Sequence, residues 1–399
     1  MFNTDANVPP DEIRLRIERL QAELQALQID GALILQNSDL YYLSGTIQQS
    51  HLYVPAEGRP LLMARKSLAR ARAESPIEDI VPLTSPKQMP GILQEHGLHL
   101  PGRLGMELDV LPVNLFRGYE LVFEGPDIMD ISPVVRTLRA VKSEFEIAVI
   151  TKAAGLSDQL TVYAGEILKP GMTELEAAGL IEAHARKLGH QGIIRMRLFG
   201  GELFYGHFLC GASAAVPSYM ASPTGGSAAN PAVAQGAGFT VLAPDAPILL
   251  DYAFALNGYL SDHTRIFALE SLPEDLMAAH GAMLDIQSQI MAFAKPGVTA
   301  GEVYDLGLKL ATAAGYSDHF MGAEANRIQF IGHGVGLELD EYPFLAKGQE
   351  MVLAENMVIA LEPKLIFPGR GVVGIENTHV VTREGLKQLG RYPDEVTII

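Results

Sequence analysis

One eight-residue pattern occurs twice in this chain. Lys169-Pro170-Gly171-Met172-Thr173-Glu174-Leu175-Glu176 is echoed 126 residues later by Lys295-Pro296-Gly297-Val298-Thr299-Ala300-Gly301-Glu302. In both copies a Thr stands three residues before a Glu, the pairing that caps the start of a helix. A long helical stretch precedes each copy and strand-like sequence follows it. The second part of the chain is therefore expected to contain two similar helix–helix–sheet halves related by a pseudo-twofold repeat. Ile131-Ser132-Pro133 and the charged segment 136–146 mark the expected boundary, giving domains at 1–137 and 138–399. A length of 399 residues suits two domains.

The N-terminal part reads as alternating α/β. Residues 11–28 carry an apolar helical stripe at Ile13, Ile17, Leu20, Leu24 and Leu27. Strand-like runs are expected at 31–36, 51–55, 59–64, 77–83 and 103–108, and helices near 65–74, 86–96 and 111–123. This alternation predicts a mixed or parallel sheet covered by helices. No nucleotide-binding glycine loop interrupts it. The region reads as a supporting domain without chemistry of its own.

Composition narrows the function classes. With 48% hydrophobic and 19% charged residues, the chain can build large cores. Its net charge of −17 opposes phosphate backbones and anionic lipid, so neither nucleic acid nor a membrane surface is an expected partner. A single cysteine, Cys210, excludes an internal disulfide and any multi-cysteine metal cluster. Neither a signal peptide nor an apolar run of ~20 residues is visible, so a soluble, cytoplasmic protein is expected.

Two hairpins concentrate the acidic residues. Asn257-Gly258 lies between apolar runs and signals a tight hairpin with Leu256 opposite Tyr259. That register sets Asp262 opposite Ala253, so Asp251 and Asp262 lie diagonally on one face. Pro368-Gly369-Arg370 separates a second pair of strand-like runs. A turn centred on Gly369 places Glu362 directly opposite Glu376, which is unfavourable unless something cationic sits between them. His333, within Gly332-His333-Gly334-Val335-Gly336, adds an imidazole in a segment whose glycines permit close backbone approach. Four carboxylates and one neutral imidazole suit hard or borderline divalent ions such as Mn²⁺, Co²⁺, Fe²⁺ or Zn²⁺.

On these residues the region 138–399 resembles the pita-bread metallopeptidases, which include Xaa-Pro dipeptidases (prolidases) and Xaa-Pro aminopeptidases. It also resembles their non-metal relative creatinase, and the preceding region is similar to the N-terminal domain that prolidases and creatinase share. The implied fold is an α/β N-terminal domain followed by an α+β pita-bread catalytic domain. The implied centre holds two divalent ions: Asp251 on one, His333 and Glu362 on the other, Asp262 and Glu376 bridging. The implied reaction is cleavage of short peptides by metal-activated water, with Glu362 or Glu376 as proton shuttle, in a homodimer. Hydrolysis of a C–N bond in a small non-peptide metabolite is the alternative, as in creatinase or ectoine-derivative hydrolases; a catalytically weak family member is a third reading.

Three positions depart from the prolidase pattern. Asn230 stands for a histidine upstream of the first Asp, Asp340 for the histidine of a His-Glu-x-Pro stretch, and Gly374 for an arginine two residues before the last Glu. Asn230 and Asp340 are thus the expected substrate-binding positions. His207, 126 residues before His333, is a third candidate, although the strand leading to the first Asp is expected at 216–221. His263 is expected to face away from Asp262, and Thr264 to share its face and position a carboxylate.

Overall fold

Short apolar runs separated by helix-forming segments assemble the N-terminal region around one six-stranded mixed sheet. In the computed structural model, which describes residues 6–203 and 205–399, the first half of the Met1–Pro10 stretch lies outside the described residues. The strands are β1 (Gly31–Ile34), β2 (Ser50–Pro55), β3 (Leu61–Ala64), β4 (Asp79–Pro82), β5 (Arg103–Met106) and β6 (Asp127–Asp130), in the order β4-β3-β2-β1-β5-β6. β1, β2 and β3 pair antiparallel, while β3–β4, β1–β5 and β5–β6 are parallel. Ile13, Ile17, Leu20 and Leu24 of the helix Pro10–Ala26 are buried as the stripe predicts, whereas Leu27 lies past its end and is exposed. The helix Asn37–Ser44 and strand β6 were not foreseen; each is short and lacks a long apolar period.

By its internal contacts the chain divides into a unit ending at Arg139 and a unit from Ala140 to Ile399. The second unit begins with a helix, Glu144–Ile167, closed at its start by a reciprocal Ser143–Glu146 capping box. The repeated motif then opens two helices as expected. Thr173 accepts from the Glu176 N–H ahead of Glu174–Leu188, and Thr299 accepts from the Glu302 N–H ahead of Ala300–Ala313. The likeness extends into the backbone. Leu242 N–H bonds Met172 C=O, and Leu353 N–H bonds Val298 C=O. Thr173 and Thr299 each form an isolated bridge, to Val241 and Val352. The two halves thus start their second helix with one device used twice.

The strands of this unit are β7 (Gly206–Cys210), β8 (Ile248–Tyr252), β9 (Phe254–Leu256), β10 (Tyr259–Ser261), β11 (Thr264–Ala268), β12 (Phe330–Gly334), β13 (Glu341–Ala346), β14 (Val358–Leu361), β15 (Lys364–Phe367), β16 (Gly371–Gly374), β17 (Asn377–Thr382), β18 (Gly385–Gln388) and β19 (Thr397–Ile398). One sheet runs β19-β11-β8-β7 and another β13-β12-β14-β17-β18, with β9-β10 and β15-β16 as the tips of two hairpins. Each half has its own core. Ala153, Leu160, Ala177 and Ile181 pack against Ile248, Leu250 and Tyr252. Ala279, Met283, Ile286 and Ile290 pack against Ile331, Ile359 and Leu361. Because side chains alternate along a strand, residues between these positions face away from the helices. Asp251 is one of them, while His333 stands two residues beyond Ile331, where the β12–β13 pairing shifts register. Cys210 is a buried free thiol, as expected of a small apolar residue.

Candidate active site and metal centre

Both hairpins keep the register that their turns dictate. Tyr259 pairs with Leu256, Ser261 with Phe254 and Thr264 with Asp251, so Asp262 falls opposite Ala253 and diagonal to Asp251. In the second hairpin Phe367 pairs with Gly371 and Lys364 with Gly374, while Leu361 pairs with Asn377 beyond them. Glu362 and Glu376 lie between those brackets, on facing strands. Thr264 joins the hairpins. Its N–H bonds the Glu376 carbonyl at 3.2 Å and its Oγ1 donates to Glu376 Oε2 at 2.8 Å. Thr264 positions a carboxylate, as its place on the strand suggests.

His333 enters from β12. Its Nδ1 bonds the Gly334 carbonyl at 3.1 Å, which turns Nε2 toward the carboxylates, 3.8 Å from both Asp262 Oδ2 and Glu362 Oε1. The flanking glycines serve close approach. A Cβ on Gly332 would stand 2.3 Å from the Ala360 carbonyl oxygen, and one on Gly334 2.0 Å from that of Tyr342. Ligand atoms of Asp262, His333 and Glu376 all lie within 4.8 Å of one another, a grouping able to hold a divalent ion.

Sequence reading left out one member of the centre. Lys364 follows Glu362 by two residues on the same strand face, and its ammonium sits among the acids. Nζ donates to Asp251 Oδ2 at 3.0 Å, Glu362 Oε2 at 2.8 Å and Glu376 Oε2 at 2.7 Å. It is the cation that the opposed Glu362 and Glu376 require. The signal was available: a lone basic residue in the apolar run 357–367, in phase with Glu362. Lys364 is 1% exposed. Burial alone would lower its pKa, but Asp251, Glu362 and Glu376 outweigh burial and hold it well above the ordinary lysine value. Burial, then the charge of Asp251, pushes Asp262 up to about 6, against the pull of His333 and Lys364. Glu376 is raised for the same reasons, burial first and Asp262 second.

These residues open into a cavity of about 520 Å³, within the usual size of a small-ligand site. Its outer wall is apolar, with Met196, Leu198, Leu203, Met220, Phe330 and Phe344. His207 also lines it. The strand preceding the first Asp is β7, not 216–221, and its register sets His207 directly across from Asp251. His207 Nδ1 shares a hydrogen bond with Thr224 Oγ1 at 2.9 Å, while Nε2 makes no hydrogen bond of good geometry, although Gln235 lies close enough to the ring to act on its pKa. Burial lowers its pKa and keeps the ring neutral. Asp340 reaches the cavity too, with Oδ1 accepting from the Arg197 N–H at 2.9 Å.

Asn230 does not join the site. It is exposed and outside the cavity lining, and its Oδ1 accepts from the Ala232 N–H at 2.9 Å, closing its own turn. A short amide beside Pro231 is better served by that local bond than by a long reach. His263 faces away from the cavity, and it is buried rather than exposed, with Nδ1 bonded to Ser157 Oγ at 2.8 Å.

Tyr252, next to Asp251, points into the helical layer and donates to Glu182 Oε1 at 3.2 Å. Burial pushes Glu182 up to about 7, against the pull of that bond. A carboxyl with a raised folded pKa contributes stability that is fully present below its unfolded value, roughly 4.3, and lost as pH rises through the folded one. Glu182→Gln is therefore expected to melt like the parent near pH 4.5 and at a higher temperature at pH 8. Melting curves at the two pH values check this, and a variant less stable than the parent at pH 8 would contradict it.

Residues 148–383 match the model of metallopeptidase family M24, and residues 16–141 match the creatinase/prolidase N-terminal domain. The chain belongs to metallopeptidase family M24. It has the pita-bread fold of that family with a creatinase-type N-terminal domain, and is an enzyme of the metal-dependent peptidase class. The M24 chain is 27% identical to the Xaa-Pro dipeptidase of Pyrococcus furiosus over 383 residues, 96% of this chain and 99% of the relative. Among solved structures, the Xaa-Pro dipeptidase of Bacillus anthracis superposes with a TM-score of 0.82 at 24% identity, covering 97% of this chain and 100% of the other. The X-Pro aminopeptidase of Thermotoga maritima gives 0.80 at 23%, covering 96% and 99%. No described helix is long and apolar enough to cross a membrane.

Proposed function

We propose that this M24 chain hydrolyses amide bonds of short peptides with apolar side chains, using a metal centre built on Asp262, His333, Glu362 and Glu376. The observation that carries the reading is the convergence of these residues, with Asp251 and Lys364, at the floor of one apolar-walled cavity. A bound divalent cation would supply Lewis-acid polarisation of the scissile carbonyl and a lowered pKa for the attacking water. The chain's own residues supply the rest. Glu362 or Glu376 takes the proton of the attacking water as its oxygen bonds to carbonyl carbon. The same carboxyl returns the proton to nitrogen as the C–N bond breaks. When Nδ1 of His207 accepts from Thr224 Oγ1, Nε2 carries the proton and can donate to the developing oxyanion. His207 would then do what the expected but absent histidines do elsewhere in the family. The same reading includes a cytoplasmic homodimer with no nucleic-acid or membrane partner, in keeping with the charge of −17.

The second reading, a C–N hydrolase for a small non-peptide substrate, has one observation in its favour. Among the described residues lining the cavity there is no arginine, and the one lysine, Lys364, is fully engaged by three carboxylates. A free dipeptide carboxylate finds no free basic side chain among those described residues, whereas five acidic side chains line the cavity. Peptide amides and longer peptides are thus expected to exceed free dipeptides in kcat/KM. A panel of Xaa-Pro and apolar dipeptides, their amides, N-acyl amino acids and cyclic amides, assayed with Mn²⁺ or Co²⁺, tests both readings. Turnover confined to the non-peptide compounds would overturn the first.

A further inference from the structure

We propose that the Lys364 ammonium permanently takes the place of one of the two cations, so that the centre accepts a single divalent ion, on Asp262, His333, Glu376 and Oε1 of Glu362. An ammonium has three N–H donors, and all three are used: on Asp251, Glu362 and Glu376 at 3.0, 2.8 and 2.7 Å. An ion between Asp251 and Glu376 would need those carboxylate oxygens at about 2.0–2.2 Å. Nζ already fills the space between those oxygens, 3.0 Å from Asp251 Oδ2 and 2.7 Å from Glu376 Oε2.

Glu362 shows how the centre is divided. Its Oε2 accepts from Lys364, while Oε1 lies 3.8 Å from His333 Nε2. One carboxylate thus faces the ammonium with one oxygen and the imidazole with the other. On the imidazole side, Asp262, His333 and Glu376 retain a grouping of ligand atoms suited to an ion. The charges also fit: four carboxylates around one ammonium and one divalent ion, rather than around two divalent ions with an ammonium added.

The facing strand makes room for Lys364. Its cross-strand partner is Gly374, and a Cβ there would meet the Pro363 carbonyl oxygen at 2.5 Å, Lys364 Cα at 2.6 Å and Lys364 Cγ at 3.1 Å. Gly374 is the position where the family pattern has an arginine. The absent side chain and the present lysine are two parts of one substitution: bare backbone on β16 makes room for the lysine stem on β15.

The inference rests on reading this cavity as the metal centre, and is independent of the substrate. Its test is metal content with no substrate present. The full-length chain is equilibrated with excess Mn²⁺, dialysed, and examined by elemental analysis and electron paramagnetic resonance. About one ion per chain with an uncoupled six-line spectrum is expected, against about two ions 3.5–4 Å apart in a two-metal centre. Lys364→Met should raise the count to two and produce a spin-coupled spectrum. Asp251→Asn should keep one ion, because Asp251 serves the ammonium, whereas His333→Ala should lose it. Two ions or none on the parent chain would overturn the proposal, as would a folded Lys364→Met that still binds one. If Lys364→Met does not fold, the parent stoichiometry and Asp251→Asn decide: loss of the ion from Asp251→Asn overturns it. Failure of every peptide in the panel would leave this stoichiometry unaltered, so the two readings fail separately.

Discussion

Replacing Glu376 with alanine is expected to reduce peptide turnover by at least about a thousandfold, roughly 4 kcal/mol of transition-state stabilisation, and to strip the centre of its ion. Glu376 is 2% exposed and is the residue on which the two hairpins meet. Its Oε2 accepts from both Thr264 Oγ1 and Lys364 Nζ, and its carbonyl from the Thr264 N–H. Alanine leaves the ammonium with two acceptors and removes a carboxylate from the ion-binding group. Glu376→Gln keeps the shape and one acceptor oxygen but lacks the charge. It should therefore match alanine in lost turnover while melting closer to the parent. Steady-state kinetics at saturating Mn²⁺, metal analysis and melting curves on both variants make the measurement. Near-normal turnover by the alanine chain would remove Glu376 from the mechanism.

The largest loss of stability is expected from Arg265→Met. This guanidinium is buried behind the metal centre and ties the first hairpin to the C-terminal segment. It donates to the carbonyls of Thr264, Glu376, Tyr392 and Pro393 and to Asn377 Oδ1, and pairs with Asp394 at 2.8 Å. Burial pulls its pKa down to about 10, which leaves it charged at neutral pH. Removing one partner of a buried ionic network costs roughly 3–5 kcal/mol; because Asp394 is partly exposed, the lower end applies. At roughly 2–4 °C per kcal/mol for a unit of this size, Tm should fall by about 6–12 °C. Calorimetry checks this, and a fall under 2 °C would show that the network contributes little.

Much of the centre was legible in the sequence for a simple reason. Asn257-Gly258 and Pro368-Gly369-Arg370 each fix a turn, a turn fixes register, and register assigns every side chain to a face. Asp251, Asp262, Glu362 and Glu376 follow from that arithmetic, and the caps at Thr173 and Thr299 follow from local hydrogen bonding. What could not be read lies where no period operates. Between Cys210 and Ile248 the chain is almost without regular structure, so neither the strand bearing His207 nor the local turn of Asn230 could be placed. Lys364 escaped for a different reason. A single basic residue in an apolar strand carries no pattern of its own; its meaning lies in the acids that surround it in space.

Separate cores on the two sides of the centre have a consequence for how the catalytic unit withstands chelation. A ligand that binds only the native arrangement stabilises it by mass action, about 2.7 kcal/mol at a hundredfold excess over Kd. For an ion spanning both halves, that contribution vanishes when the ion is removed. The bond set of Lys364 does not. Its hydrogen bond from β15 to Asp251 on β8 is made by the chain's own side chains. Part of the clasp between the halves therefore travels with the polypeptide, and an M24 chain so equipped keeps it where divalent ions are scarce.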